Sequence, residues 1–283
     1  MNTDAVRKCT VCARFVYWIG ERENIRLKRA VGATKPWTDD KILQRYRFCN
    51  VRRMDDAVSQ WLLHNWYESN HGHKNMLLAC ALARFINLPA SLGAIGFPKR
   101  WNPKTIKQGL RRFKEAGNKI FNGAYMVRGN DGQDKVDSVV DYYVDPLKEI
   151  SVEELSNAAT MHEVWLSVSR FYGFGAFMAG QVVADLRWAT PQRWSDIRLW
   201  APVGPGSRRG MNRLLGRAPT CCMNQDEFST HLQRTMRDAK RCLPITITDR
   251  MEAIDWQNCL CEFDKYERTL FDGKRPKCLY PGV

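Results

Sequence analysis

The sequence lacks a run of apolar residues long enough to cross a bilayer. Its most apolar stretch, Met76 to Ile86, is short and contains Arg84. The N-terminus has neither the apolar core nor the small-residue cleavage site of a signal peptide, so a soluble protein with no membrane partner is expected. Alternating strand patterns are few, and no solenoid-period repeat or low-complexity segment occurs. Apart from Cys9-Thr-Val-Cys12 there is no second CxxC and no histidine pair at finger spacing, so no metal site is expected there. The ten cysteines are spread through a long chain, several among core-type residues as in Leu78-Ala79-Cys80-Ala81. Reduced thiols in a cytosol fit that usage better than a disulfide framework. No Gly-x-x-x-x-Gly-Lys-Ser/Thr phosphate loop occurs in the 283 residues.

Acidic residues are in short supply. Lysine and arginine number 44 against 30 aspartates and glutamates, a net charge of +14 with a pI near 9.5. The excess is clustered: ten basic residues against three acidic in Arg22 to Arg53, eight against one in Lys99 to Lys119, and ten against four in Pro191 to Arg241. Clustered cations gain affinity for a polyanion by releasing its counterions, which points to nucleic acid ahead of a membrane surface. Solvated helix faces are the alternative.

With 44% apolar residues, the chain has material for a sizeable core. Apolar residues recur at three- and four-residue spacing in Asp56 to Trp66 and Asn75 to Leu88, with Pro89 closing the second helix. Thr38-Asp39-Asp40 reads as a helix N-cap, and Pro103 to Lys119 as a basic amphipathic helix. Asp131 to Glu154 reverses the balance, with eight acidic residues against two basic, and reads as a connecting loop with a short helix near Val136 to Tyr143. Ser151-Val-Glu-Glu154 restarts helix with a capping-box pattern. The expectation is a mainly α, two-lobed fold: an N-terminal helical lobe at 1–130, an acidic connector at 131–150, and a C-terminal helical lobe at 151–283.

Glycine is used pointedly in Phe171-Tyr-Gly-Phe-Gly-Ala-Phe-Met178. Helical periodicity through Val164 to Val168 stops at Gly173-Phe174-Gly175 and resumes with Phe177, Met178, Gln181, Val182 and Val183, although each glycine weakens a helix by roughly 1 kcal/mol. A helix, hairpin and helix follow from this pattern. The glycines permit positive φ and leave the first N–H groups of the second helix open to a phosphate oxygen. A helical hairpin in a core is the alternative. Gly173-Phe-Gly175-x-Phe177-x-Ala179 resembles the hairpin of helix–hairpin–helix DNA glycosylases. In that family an essential aspartate follows the second glycine at about the separation of Gly175 to Asp196, which nominates Asp196.

A longer resemblance runs through Pro36-Trp-Thr-Asp-Asp40, Tyr46-Arg-Phe-Cys-Asn-Val-Arg-Arg53, the hairpin through Ala184-Asp185-Leu186, Gly204-Pro-Gly-Ser-Arg-Arg-Gly210 and Leu260-Cys-Glu-Phe-Asp-Lys-Tyr266. In that order these blocks resemble a bacteriophage thymidine-hypermodification family, the α-glutamyl/putrescinyl-thymine pyrophosphorylases or amino acid:DNA transferases. The helical domain of 5-hydroxymethyluracil DNA kinases is related to it. A kinase of the group would carry an added phosphate-loop domain, so the transferase branch is expected. The resemblance implies a phage enzyme in the host cytoplasm. Its substrates would be DNA containing pyrophosphorylated 5-hydroxymethyluracil and a small amine, either an amino acid such as glycine or a polyamine. The amine would displace pyrophosphate, leaving a modified thymidine that resists host restriction. A glycosylase-like enzyme acting on a modified base, and a noncatalytic DNA-binding helical module, are the other readings.

Such a reaction needs an extruded base, donors for the departing pyrophosphate, and an acceptor for the amine proton. Gly206, Ser207, Arg208 and Arg209, read as a glycine-flanked turn, would expose an anion nest with two guanidiniums, and Arg52 would assist. A basic surface loop is the alternative. Asp196 or Asp185 would take the proton or orient the amine, against N-capping or an ordinary ion pair. Gly173, Gly175 and Arg47 would hold the DNA backbone. Asn50, Asp55 and Asp56 are expected to pair internally with the neighbouring arginines. Glu262, Lys265 and Tyr266 share one helical face and are further candidates. Trp37, Trp188, Trp194 and Trp200 could stack on a base, although most tryptophans are expected in the core. No cofactor is expected, and nothing in the motifs supports a divalent metal.

Overall fold

The computed structural model describes residues 1–123, 129, 132–190 and 194–280. Its helices include, in chain order, α1 (Val11–Ala30), α2 (Lys41–Arg45), α3 (Met76–Ile86), α4 (Pro103–Glu115), α5 (Met161–Ser169), α6 (Ala176–Ala189), α7 (Pro205–Leu214), α8 (Gln225–Lys240) and α9 (Ala253–Phe271). Among the described residues β-type pairing is confined to an isolated bridge between Tyr46 and Leu279. The fold is mainly α.

The chain forms two compact units, Met1–Asp56 together with Ile197–Val283, and Ala57–Asp196. These are not the lobes drawn from composition. The acidic stretch is no connector. Val136, Val139, Val140, Val144 and Leu147 are buried, and a π-helical turn at Ser138–Val144 packs on α3 and α4. Its carboxylates answer the basic helix, with Asp141 and Asp137 pairing with Lys107, and Asp137 with Arg111. Asp137 and Asp141 are therefore matched to cations of α4 rather than left to solvent. The expected boundary at Asn130 and Asp131 lies outside the described residues.

In the first unit, α1 buries Phe15, Trp18, Ile19, Arg22 and Ile25, a stripe at helical spacing. Phe15 meets Phe263 of α9 edge-on with ring centroids 5.2 Å apart. The partner of this stripe lies more than two hundred residues away in the sequence. Asp40 caps α2, accepting from the N–H groups of Ile42 and Leu43 at 2.8 and 3.2 Å.

Gly204-Pro-Gly-Ser-Arg-Arg-Gly210 is not a turn. Gly204 is the N-cap and Pro205 the first residue of α7. The glycines serve helix packing: a Cβ on Gly206 would overlap the Cys261 sulfur, and one on Gly210 would overlap the Leu260 carbonyl. α7 thus lies directly on the backbone of α9. Asp264, fully buried, locks the contact by accepting from Arg209 Nε at 2.8 Å and Arg213 Nε at 3.0 Å.

In the second unit every residue of α3 is buried. Asn87, at φ 49°, ends that helix, and Pro89 opens a following short one, Pro89–Ile95, instead of closing α3. The hairpin expected at Gly173 forms between α5 and α6. Gly173 has φ +85°, and any Cβ there would strike the Tyr143 ring. Phe174 is buried edge-on against Phe85.

Gly210→Ala should lower stability despite its better helix propensity. The propensity gain is about 1 kcal/mol, while overpacking against a backbone carbonyl that cannot rotate away costs about 1–3 kcal/mol. Thermal unfolding of this variant and of Gly20→Ala in α1, where a Cβ would meet nothing nearer than a Leu243 methyl at 3.9 Å, provides the comparison.

Candidate functional site

The first unit gathers buried polar groups around the segment that follows Tyr46. Residues 49–53 have no strand partner among the described residues, yet their backbone is served by side chains spaced along α9. Cys49 N–H donates to Glu262 Oε2 at 3.1 Å, Asn258 Nδ2 donates to the Asn50 carbonyl at 3.4 Å, the Cys259 thiol faces the Val51 carbonyl at 3.5 Å, and Arg53 N–H donates to Asp255 Oδ1 at 2.8 Å. Positions 255, 258, 259 and 262 fall on one helical face, so the helix supplies the ladder that a neighbouring strand would otherwise provide. The remaining bonds are local: Asn50 N–H donates to Asp56 at 2.9 Å, and Asn50 Oδ1 accepts from Arg22 at 2.7 Å.

This arrangement places the candidate residues of the unit. Glu262 is a buried bracket for Cys49 and the partner of Lys265. Burial opposes the Lys265 charge, but Glu262 and the neighbouring groups outweigh it and raise its pKa. Tyr266 points inward and donates to Asp40 at 2.5 Å, and burial together with the Asp40 charge raises the phenol. Arg52 is held by Asp55 at 2.8 Å, and Arg26 shares that carboxylate at 3.3 Å. Asn50, Asp55 and Asp56 pair internally with arginines or backbone, as expected. Arg47 is exposed and has no ion pair among the described residues.

The four pyrophosphate candidates on α7 separate by environment. Gly206 is buried against Cys261, and Ser207 is fully buried, accepting from Gly204 N–H at 3.0 Å and Gln257 Nε2 at 3.1 Å. Arg209 is committed to Asp264. The Arg208 side chain has no ion pair or hydrogen bond among the described residues, and its Nε is enclosed without a partner. No acidic residue lies in the first turn of α7, so the positive end of the helix and the Arg208 charge reinforce one another. A charge left in this state is suited to an anion brought from outside.

Sequence reasoning missed Arg22, Asp255 and Asn258. Arg22 is 1% exposed, with Nε and Nη1 lacking partners among the described residues. The available signal was the register of the apolar stripe: Arg22 lies three and four residues from Ile19, Trp18 and Ile25, on the buried face of its helix. Burial pushes the carboxyls of Asp56 and Asp255 up to about 6 and holds Cys49 and Cys259 as neutral thiols.

The second unit contains the two candidate catalytic aspartates. Asp185 is fully buried, accepting from Tyr67 Oη at 2.7 Å and Arg84 Nε at 2.6 Å, with a second Arg84 nitrogen on its other oxygen. It is a core ion pair joining α6 to α3, and the burial of its carboxylate assigns it to the scaffold. Asp196 is half-buried and accepts from the N–H groups of Met161 and His162 at 2.7 and 3.1 Å, fastening the start of α5. Each oxygen retains a lone pair. Gly175 caps α6 without a side-chain hydrogen bond. Of the tryptophans, Trp194 and Trp200 are buried, while Trp37 and Trp188 are half-buried. Pro191, which lies between Trp188 and Trp194, falls outside the described residues.

A helical protein with a buried polar scaffold and a free cation over an acid-free helix start is the class these observations define. Residues 9–275 match the family described as "5-hmdU DNA kinase, helical domain", and the chain belongs to that family. A 5-hmdU DNA kinase of Bacillus phage SP10 is 29% identical over 216 residues, 68% of this chain and 34% of the relative. The chain therefore matches about a third of that relative's length. No solved structure matches. None of the helices in the described residues is long and apolar enough to cross a membrane.

Asp185→Ala should cost about 3–5 kcal/mol, because it strands Arg84 in the core. Asp185→Leu combined with Arg84→Met should recover most of that loss in urea unfolding. Stability should also carry the signature of the raised carboxyls. Their folded pKa near 6 exceeds the unfolded value of about 4. The folded protein therefore binds more protons in that window, and this contribution is full below about pH 4 and lost as pH rises through 6. Asp255→Asn should flatten the decline between those limits, measured by urea titrations at fixed pH.

Proposed function

We propose that this chain acts in phage thymidine hypermodification as a transferase on DNA, replacing the pyrophosphate of 5-pyrophosphomethyl-deoxyuridine with an amine. The observation that carries the reading is Arg208: a cation without a counter-ion among the described residues, beside the acid-free N-terminus of α7, in a chain whose family is named for 5-hmdU in DNA. In the reaction the amine nitrogen bonds to the methylene carbon, and the carbon–oxygen bond breaks with its electron pair leaving on pyrophosphate. The amine then releases a proton. Arg208 neutralises charge accumulating on the leaving group, an interaction that strengthens as the bond breaks. For the amine proton the resemblance nominates Asp196, whose oxygens keep lone pairs within the second unit, and it assigns backbone phosphates to the Gly173–Gly175 hairpin and to Arg47.

The test is incubation with DNA containing pyrophosphomethyl-uracil and a panel of amino acids and polyamines, followed by nucleoside mass spectrometry and pyrophosphate measurement. A new adduct with stoichiometric pyrophosphate is expected. Arg208→Ala should reduce turnover roughly 100-fold with little change in DNA affinity, and Asp196→Asn should also reduce it. Wild-type turnover in both variants would remove these site assignments. Abasic sites would replace the reading with base excision, and unaltered DNA would leave a binding module.

A further inference from the structure

We infer that α4 and its flanks form a phosphate-binding rail in the second unit, a surface for the DNA backbone separate from the Gly173–Gly175 hairpin. The inference rests on the reading that DNA is the partner and adds where the duplex is held.

Residues 99–119 carry eight cations and a single acid. The structure sorts those cations into two groups. Lys107 and Arg111 turn toward the π-helical turn at Ser138–Val144 and its neighbour Asp137, where Asp137 and Asp141 neutralise them. Lys99, Arg100, Lys104, Arg112, Lys114 and Lys119 are exposed and have no ion pair among the described residues. On the helix itself Ile106 and Leu110 face the core, while Lys104, Gln108 and Arg112 are separated by four residues each and run along the solvent side.

Folding alone gives no reason for the second group. Like charges on adjacent turns repel by a few tenths of a kcal/mol per pair, and solvated surfaces usually intersperse both signs. The carboxylates at Asp137 and Asp141 show that the unit neutralises cations on this helix where it packs against itself. On the outward side the charge remains uncompensated. A helix of this length is about 20 Å long, the rise of about six base pairs, so its cations span several phosphates of a duplex backbone without requiring base contacts. Lys107–Asp141 and the approach of Tyr143 to Gly173 tie α4 and the hairpin to the same π-helical turn. Both grips therefore belong to one packed body.

The experiment measures binding of the full chain to unmodified duplex DNA over a salt series. The triple variant Lys104→Ala/Arg112→Ala/Lys114→Ala should bind about tenfold more weakly at moderate salt, and its slope of log K against log salt should fall by about 2 to 3. Its thermal midpoint should match that of wild type, since the three side chains make no ion pairs among the described residues. Lys107→Ala/Arg111→Ala should lower the midpoint and leave the slope nearly unchanged. An unaltered slope in the triple variant, as expected if this face met an acidic protein, overturns the rail. An equal loss per charge in both variants also overturns it, because net charge alone would then explain binding. The probe contains no pyrophosphorylated base and no amine is present, so the outcome is independent of whether transfer occurs.

Discussion

The first unit depends on the face of α9 that supplies a hydrogen-bond ladder. Asp255, Asn258, Cys259 and Glu262 serve the backbone of residues 49–53, which no sheet satisfies. An unpaired buried amide or carbonyl costs as much as a lost hydrogen bond, so an extended segment beside a helix is tolerated only when side chains replace the missing strand. The requirement accounts for two of the buried carboxylates of α9, Asp255 and Glu262, whereas Asp264 and Glu267 serve arginines. It also links Tyr46–Arg53 to Leu260–Tyr266, distant in sequence, through Glu262 on the Cys49 amide, while the other rungs come from the turn of α9 just before that block.

Arginine pairing narrows the site in the same way. Asp264 engages Arg209 and Arg213, Asp55 engages Arg52 and Arg26, and Glu267 engages Arg14 at 2.7 Å. Each pairing consumes a cation that composition alone had offered to a phosphate. Arg208 stays outside these pairings in the first unit, as the outward face of α4 does in the second. A basic sequence becomes a defined anion-binding surface only after the internal pairs have been subtracted.

The glycines were legible in kind but not always in purpose. Gly173 was read as a hairpin residue and has the positive φ that such a turn requires. Its second constraint, contact with the Tyr143 ring, arises from a residue in a stretch read as a connector. Gly206 and Gly210 were read as an exposed turn. They are contact points between helices, where the absence of a Cβ allows α7 to reach the α9 backbone. A glycine pair at i and i+4 is compatible with either reading until the neighbouring helix is known.

The sequence by itself determined the helical class, the α5–α6 hairpin, the N-cap at Asp40 and the basic excess, because these follow from local periodicity, capping chemistry and charge. Only the tertiary structure decided that the first 56 residues pack with the last 87, that Asp185 is a core ion pair, and that Arg208 stands apart from Arg209. Burial and pairing depend on what lies across the core, and that partner is set by the path of the whole chain, not by the residues beside it.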